Sequence, residues 1–394
     1  MKRIILSILA ICLLLSSDVF ACTSAIFTGK STPDGRPLMW KHRDTGEPNN
    51  RIQYFKGEKY SFYALINSPD FFNNEAWTGT NEVGFSIMNT ASYNLKDDEV
   101  PSKMMDKEGV VMYKALATCK TLADFEKMLD KYKRPMGVEA NFGVIDAEGG
   151  AAYYEVNNDS WTKVDVNDPK IAPQGYLVYT NHSNTGRLNE GMGYVRYTNA
   201  DKIVKEQIAR NGNITSQWIM QNLSRTFYHS ILGIDLNKDK ELVDKCNGWF
   251  MDQDFIPRKS STCSIVVEGV KNGENPANTI MWTILGYPPI GISVPLMVAN
   301  GNDLPSYMTA EGTGNAKMCD WVLEKKEEIF PIKRGNGNKY LNYYAIEKYM
   351  VPAVEVENNV YQMARPIIEK IREGKATAAD LKPVYNLVEK AIEK

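Results

Sequence analysis

Residues 23–28 mix small polar and apolar side chains, and residues 29–35 form a turn rich in Gly, Ser and Pro before a second strand-like run at 36–40. This pattern predicts a β-hairpin that returns residues 41–44 to the start of its first strand. Extended runs recur at 61–67 and 84–89. Helical patterns follow at 110–119 and 122–132, the second with Thr121 placed as its N-cap. Residues 142–145 and 151–156, joined by Asp146-Ala147-Glu148-Gly149-Gly150, predict a second hairpin, and a strand at 175–180 ends on Asn181-His182. Helices are then predicted at 195–209 and 214–227, and strands at 262–268, 278–285 and 292–298. From about residue 314 the chain is helical and rich in Lys and Glu, with Thr377-Ala378-Ala379-Asp380 reading as a capping box. Strands that bracket central helices and then resume imply an α+β arrangement with sheet inside and helices outside.

The first 21 residues follow another pattern. Lys2 and Arg3 precede an apolar run from Ile4 to Leu15, and Val19 and Ala21 stand at −3 and −1 of a cut before Cys22. These are the marks of an export signal. The run is shorter than the roughly 20 residues needed to span a bilayer, so an exported protein, periplasmic or secreted, is expected. Cleavage leaves 373 of 394 residues. The remainder divides into a main unit at 22–312 and a helical extension at 313–394 expected to pack on it. Formal net charge is −2 with no basic block, so nucleic acid is not indicated as a partner. A homo-oligomer is compatible with the composition.

Cleavage also changes the chemistry of the sequence. A chain beginning at Cys22 carries a thiol and a free α-amine on one residue, with ordinary pKa values near about 8.5 and 8. The amine can take the thiol proton, the thiolate can attack a carbonyl, and the ammonium can protonate the leaving nitrogen. The competing reading is a lipoprotein in which Cys22 carries a lipid and anchors the chain to a membrane without catalysis. Phe20 fits that reading poorly, and Thr23-Ser24-Ala25-Ile26-Phe27 looks like a core strand rather than a tether.

Within Trp40-Lys41-His42-Arg43-Asp44, alternation puts Lys41 and Arg43 on one face and His42 and Asp44 on the other. A cation near the thiol favours thiolate, and a carboxylate near the α-amine orients it. A solvated charged turn is the plainer alternative. Cys22, Cys119, Cys246, Cys263 and Cys319 lack a C-x-x-C pair, which speaks against a zinc ribbon or redox motif. The last four are either plain buried thiols or two disulfides. Three scattered histidines, His42, His182 and His229, give no metal site. Asp235-x-Asn237-x-Asp239 begins like a calcium loop but has Lys240 and Cys246 where Gly and a carboxylate belong.

Cys22-Thr23-Ser24, the run Gly35-Arg36-Pro37-Leu38-Met39-Trp40-Lys41-His42-Arg43-Asp44, and Asn81-Glu82-Val83-Gly84-Phe85 together resemble the N-terminal-nucleophile cysteine amidases. That group includes penicillin V acylases, choloylglycine hydrolases, acid-ceramidase-like amidases and the isopenicillin N acyltransferase family. The resemblance runs over roughly residues 22–298. It implies a four-layer αββα sandwich, no cofactor, and hydrolysis of a linear amide bond in a small N-acyl amide. It makes Cys22 the nucleophile, Asp44 the ligand of the α-amine and Asn181 an oxyanion donor, with a second donor near Asn89 or Thr90. Lys41 stands where many relatives have arginine, with Arg43 two positions on. Arg196 and Arg258 compete for the role of a later arginine, and His182 is an alternative base. Acyl transfer to an amine through the same thioester is the alternative reaction.

Overall fold

The alternation in the sequence becomes two antiparallel sheets in the structure, a computed structural model that describes residues 21–95 and 100–393. The export-signal reading therefore falls outside the described residues, apart from Ala21. The first sheet has six strands in the order β10 (Tyr176–Tyr179), β1 (Thr23–Phe27), β2 (Leu38–Asp44), β14 (Ser261–Glu268), β15 (Ile280–Leu285) and β16 (Val294–Leu296). The second has seven in sequence order: β3 (Asn50–Lys56), β4 (Ser61–Asn67), β5 (Thr78–Asn81), β6 (Ser86–Ala91), β7 (Ala140–Ile145), β8 (Ala151–Val156) and β9 (Trp161–Asp165). Two short ribbons, β11 (Tyr228–His229) with β12 (Ile234–Asp235) and β13 (Trp249–Met251) with β17 (Tyr340–Asn342), lie outside both sheets.

Each sheet is buried on two faces. Phe62, Ala64 and Ile66 of β4, Phe142 and Val144 of β7, and Tyr154 of β8 close on α1 (Glu108–Thr118) and α2 (Leu122–Lys131). The alternate residues Tyr63, Leu65, Ile145 and Tyr153 join the larger core shared with the first sheet. The far face of the first sheet is covered by α3 (Tyr194–Asn211), a segment at 216–223, and the C-terminal helices α4 (Lys317–Ile329), α5 (Tyr343–Arg372) and α6 (Lys382–Ile392). The order of layers is αββα. Val322, Val360, Ile368 and Val388 of the C-terminal helices belong to the same core as β1 and β2.

Thr121 caps α2 in a box with Asp124, and Thr377 pairs likewise with Asp380, though there the box opens a 3₁₀ turn. The helix expected at 214–227 is corrected. It is one α-turn, Ser216–Trp218, passing into a π-helix, Ile219–Leu223. Ser224 N–H donates to Ile219 O at 3.0 Å, and the Ser224 hydroxyl meets the Trp40 indole at 3.1 Å and Ser264 Oγ at 2.7 Å. The wider turn serves these side-chain bonds, which periodicity does not encode. Cys22, Cys119, Cys246, Cys263 and Cys319 are all free thiols, and burial pushes Cys119 up to about 11 and Cys263 to about 12.

Candidate active site

β1 pairs with β2 through Thr23↔His42 and Ser24↔Lys41, so the next step of the ladder sets Arg43 across from Cys22. On its other side β1 pairs with β10 through Ser24↔Tyr179, and the same pairing carried two residues on sets Asn181 across from Cys22. Ser24 Oγ lies 3.0 Å from Tyr153 Oη of the second sheet. By alternation Cys22, Lys41 and Arg43 therefore face the space between the sheets, while Thr23, His42 and Asp44 face the helices. Residues 41–44 lie inside β2 and none is more than 3% exposed, so they are not a solvated turn.

Arg196, on the first turn of α3, organises the backbone of Cys22. Its Nη1 donates to Cys22 O at 2.6 Å and to Thr23 Oγ1 at 2.8 Å, and its Nη2 to Asn181 Oδ1 at 2.9 Å. A guanidinium only donates, so this contact fixes which end of the Asn181 amide is oxygen. The Asn181 Nδ2 group then donates to Ala91 O at 2.8 Å. Arg196 is wholly buried, and that burial, with Arg258 nearby, pushes its pKa down to about 9. Gly193 makes room for it: a Cβ there, at φ +81°, would come within 2.3 Å of Arg196 Nη2.

Asp44 is held from two sides. Ser261 Oγ donates to its Oδ1 at 2.5 Å, and Arg258 donates both to its carboxylate and, at 2.5 Å, to Ala21 O. With its proton on Asp44, the Ser261 hydroxyl accepts from His42 Nε2 at 3.0 Å, which assigns the His42 tautomer. Burial pushes His42 down to about 4, so this imidazole is neutral near pH 7. Lys326 of α4 donates to Ser261 O at 2.9 Å, and burial pushes its ammonium down to about 8. Within the Lys/Glu-rich helical stretch, Lys326 thus turns inward to the β2–β14 pair. Cys22 Sγ itself lies 3.8 Å from Asp44 O.

On the inter-sheet face, Lys41 Nζ donates to Trp77 O at 2.5 Å and to Asn89 Oδ1 at 2.6 Å. Burial pushes Lys41 down to about 8, against the pull of Cys22 in the other direction. Arg43 Nη2 donates to Asn67 Oδ1 at 2.8 Å, and its guanidinium lies 4.9 Å from the Trp77 ring centroid. The sequence named Lys41 and Arg43 as alternatives, and the structure puts both on the face of Cys22. It likewise brings both Arg196 and Arg258 to the Ala21–Cys22 junction.

His182 is placed elsewhere. Its ring stacks on Tyr194 at 4.2 Å and lies 3.1 Å from Thr180 Oγ1, directed to α3 rather than to Cys22. Thr90 Oγ1 accepts from Asn141 Nδ2 at 3.1 Å, and Asn141 Nδ2 also reaches His182 O at 3.2 Å while its Oδ1 accepts from Ser183 Oγ at 2.5 Å. Asn141 therefore ties the second sheet to the end of β10, where Asn181 sits. Asn141, Ser261 and Lys326 carry no motif in the sequence. Among the described residues no three His, Cys, Asp or Glu side chains are grouped to hold a metal ion. Surface cavities of about 250 and 460 Å³ are lined by residues around Ser216 and Arg365 and around Lys202 and Trp218, away from Cys22.

The sequence matches no family model and no curated protein. Its fold is similar to that of several solved structures. A Caenorhabditis elegans ortholog of N-acylethanolamine-hydrolyzing acid amidase shares 14% identity at a TM-score of 0.38, over 63% of this chain and 92% of that one. A variant of conjugated bile acid hydrolase from Clostridium perfringens shares 12% identity at 0.40, over 75% and 95%. Penicillin V acylase from Agrobacterium tumefaciens shares 10% identity at 0.35, over 70% and 86%.

Proposed function

We propose that this chain is an exported hydrolase of linear amide bonds whose nucleophile is Cys22, once cleavage makes Cys22 the N-terminal residue. The observation that carries this reading is the convergence on the Ala21–Cys22 junction. Arg196 holds Cys22 O, Arg258 bridges Ala21 O and the Asp44 carboxylate, and Asn181 lies one strand away with its amide orientation set. Loss of Ala21 leaves Asp44 and Arg258 beside the new amine. The buried start of a core strand also suits a nucleophile better than a lipid-bearing anchor.

The reaction follows from these positions. The α-amine takes the thiol proton, and Cys22 Sγ attacks the acyl carbon of a small N-acyl amide. The developing oxyanion meets an N–H of Asn181, a donor of a kind worth about 3 kcal/mol of barrier. The ammonium returns its proton to the nitrogen as the C–N bond breaks and the amine leaves. Water then cleaves the thioester, releasing the acid and restoring the thiol. Asp44, fixed by Ser261 and Arg258, orients the ammonium.

The test is amide hydrolysis by the chain beginning at Cys22, set against its Cys22→Ala and Cys22→Ser variants. Both are expected to lose at least about a thousandfold in kcat, in line with removal of a nucleophile, with unchanged circular dichroism. A chain that retains Ala21 is expected to be equally inactive. Undiminished turnover by Cys22→Ala would overturn the reading.

A further inference from the structure

We infer that Arg43 is an anion-binding residue of this site, and that the preferred substrate is an amide bearing a carboxylate near the scissile bond. The inference rests on the reading of Cys22 as an accessible thiol facing the inter-sheet space.

Arg43 is 3% exposed and occupies the ladder position across from Cys22. One terminal nitrogen, Nη2, is used on Asn67 Oδ1, and the plane of the group rests near Trp77. The other, Nη1, is buried without a hydrogen-bond partner. Among the described residues Arg43 is the arginine that leaves a whole terminal nitrogen in this state; Arg196, Arg258 and Arg372 leave only Nε. Leaving a buried donor unpaired costs about 1–3 kcal/mol, and more for a charged group. The fold can avoid that cost, because Arg225, equally buried, has acceptors at Met220 O, Pro289 O, Gly291 O and both oxygens of Glu357.

Charge counting sharpens the point. Lys41 and Arg43 are two buried cations on the face of Cys22, and every hydrogen-bond acceptor named for them is neutral: Trp77 O, Asn89 Oδ1 and Asn67 Oδ1. Among the described residues neither forms an ion pair; Glu108 acts on Lys41, and Glu47 and Glu75 on Arg43, only at longer range. A thiolate at Cys22 balances one of these charges. The second is left for an anion, and a planar guanidinium with a free N–H pair is suited to a carboxylate. The carboxylate can stand on the amine side, as in an N-acyl amino acid, or on the acyl side, as in a monoamide of a dicarboxylic acid.

Alkylation of Cys22 in the chain beginning at that residue reads the anion site without any amidase activity. In this reaction the Sγ–C bond forms, the C–I bond breaks, iodide leaves and the thiol proton passes to buffer. Rates at pH 7 with iodoacetate and with iodoacetamide are followed by peptide mass spectrometry, alongside free cysteine. The iodoacetate/iodoacetamide ratio is expected to exceed that of free cysteine by about tenfold, equivalent to about 1.4 kcal/mol. Arg43→Gln should return it to the free-cysteine value, and Arg43→Lys should keep part of the excess. A wild-type ratio equal to that of free cysteine, which needs no variant, overturns the inference, as does an excess that survives Arg43→Gln. Turnover of N-octanoylglycine, N-octanoylglycinamide and glutaryl anilide then locates the anion. Preference for the first over the second puts it on the amine side, and a fall in kcat/KM for the third alone in Arg43→Gln puts it on the acyl side. Amide hydrolysis that persists in Cys22→Ala would remove the functional reading while leaving the alkylation result to decide Arg43.

Discussion

At the scale of single residues, the site combines groups whose ordinary ionisation is altered by burial. Lys41 is the clearest case. Burial lowers its pKa from 10.5 to about 8, with Cys22 pulling it back upward. Below about pH 8 Lys41 carries charge beside Cys22, and above it that charge fades. The folded state then binds fewer protons than the unfolded state between about pH 8 and 10.5, so this group adds stability as pH rises through the window. An alkaline loss of activity is therefore not explained by Lys41 unfolding the protein. Wild-type kcat/KM should decline above about pH 8, and Lys41→Arg, which keeps its charge, should shift that limb upward by about one unit or more. Identical alkaline limbs in the two proteins would show that Lys41 does not govern it. His42 differs: it is neutral above about pH 4, so its part is to donate to Ser261 rather than to carry charge.

At the scale of elements, the surroundings of Cys22 are assembled where β1, β2, β10, β14 and β6 terminate together. Asn141 of β7 links this end across the sheets through Thr90, His182 O and Ser183. Asn141→Ala removes those bonds without touching Cys22 or Asp44. It is expected to lower kcat by about tenfold or more, as misplacement of an oxyanion donor does, with a smaller change in KM. An unchanged kcat would mean that β10 holds Asn181 without this tie. Much of the frame was legible in the sequence. The hairpin from Thr23 to Asp44 follows from alternation and a glycine-rich turn, and it correctly set Lys41 and Arg43 apart from His42 and Asp44. Asn181 and Arg196 were named through the family resemblance alone, since no local periodicity singles them out. Ser261 and Lys326 carry no such mark, since Ser261 reaches Asp44 only because β14 lies beside β2, and Lys326 joins them through Ser261 O; strand order is not written in local periodicity. The π-helix was hidden for a related reason: its hydrogen bonds answer to Trp40 and Ser264, far away in sequence.

At the scale of the whole molecule, the C-terminal helices are bound to the first sheet by more than apolar contact. Arg225, just after the π-helix, and Glu357 of α5 form a two-pronged ion pair at 2.9 Å, with side chains 1% and 0% exposed. Glu357 Oε2 also accepts from Ser293 N–H at 2.9 Å. Such a pair contributes little net stability compared with a well-packed apolar pair, because both charges have left water, but removing one partner strands the other. Glu357→Gln should therefore destabilise the protein by about 3–5 kcal/mol, read from urea unfolding midpoints. The double replacement Arg225→Met with Glu357→Leu should recover much of that loss, since neither charge then remains buried. At temperatures where Glu357→Gln stays folded, its Cys22-dependent turnover should match wild type, because the pair lies on the helix-covered side of the first sheet and Cys22 faces the other. A double variant no more stable than Glu357→Gln would mean that the pair is needed for its hydrogen bonds to Met220, Gly291 and Ser293 rather than for charge balance. The junction of α5 with the sheet would then be a polar hinge, and turnover would be expected to fall along with stability.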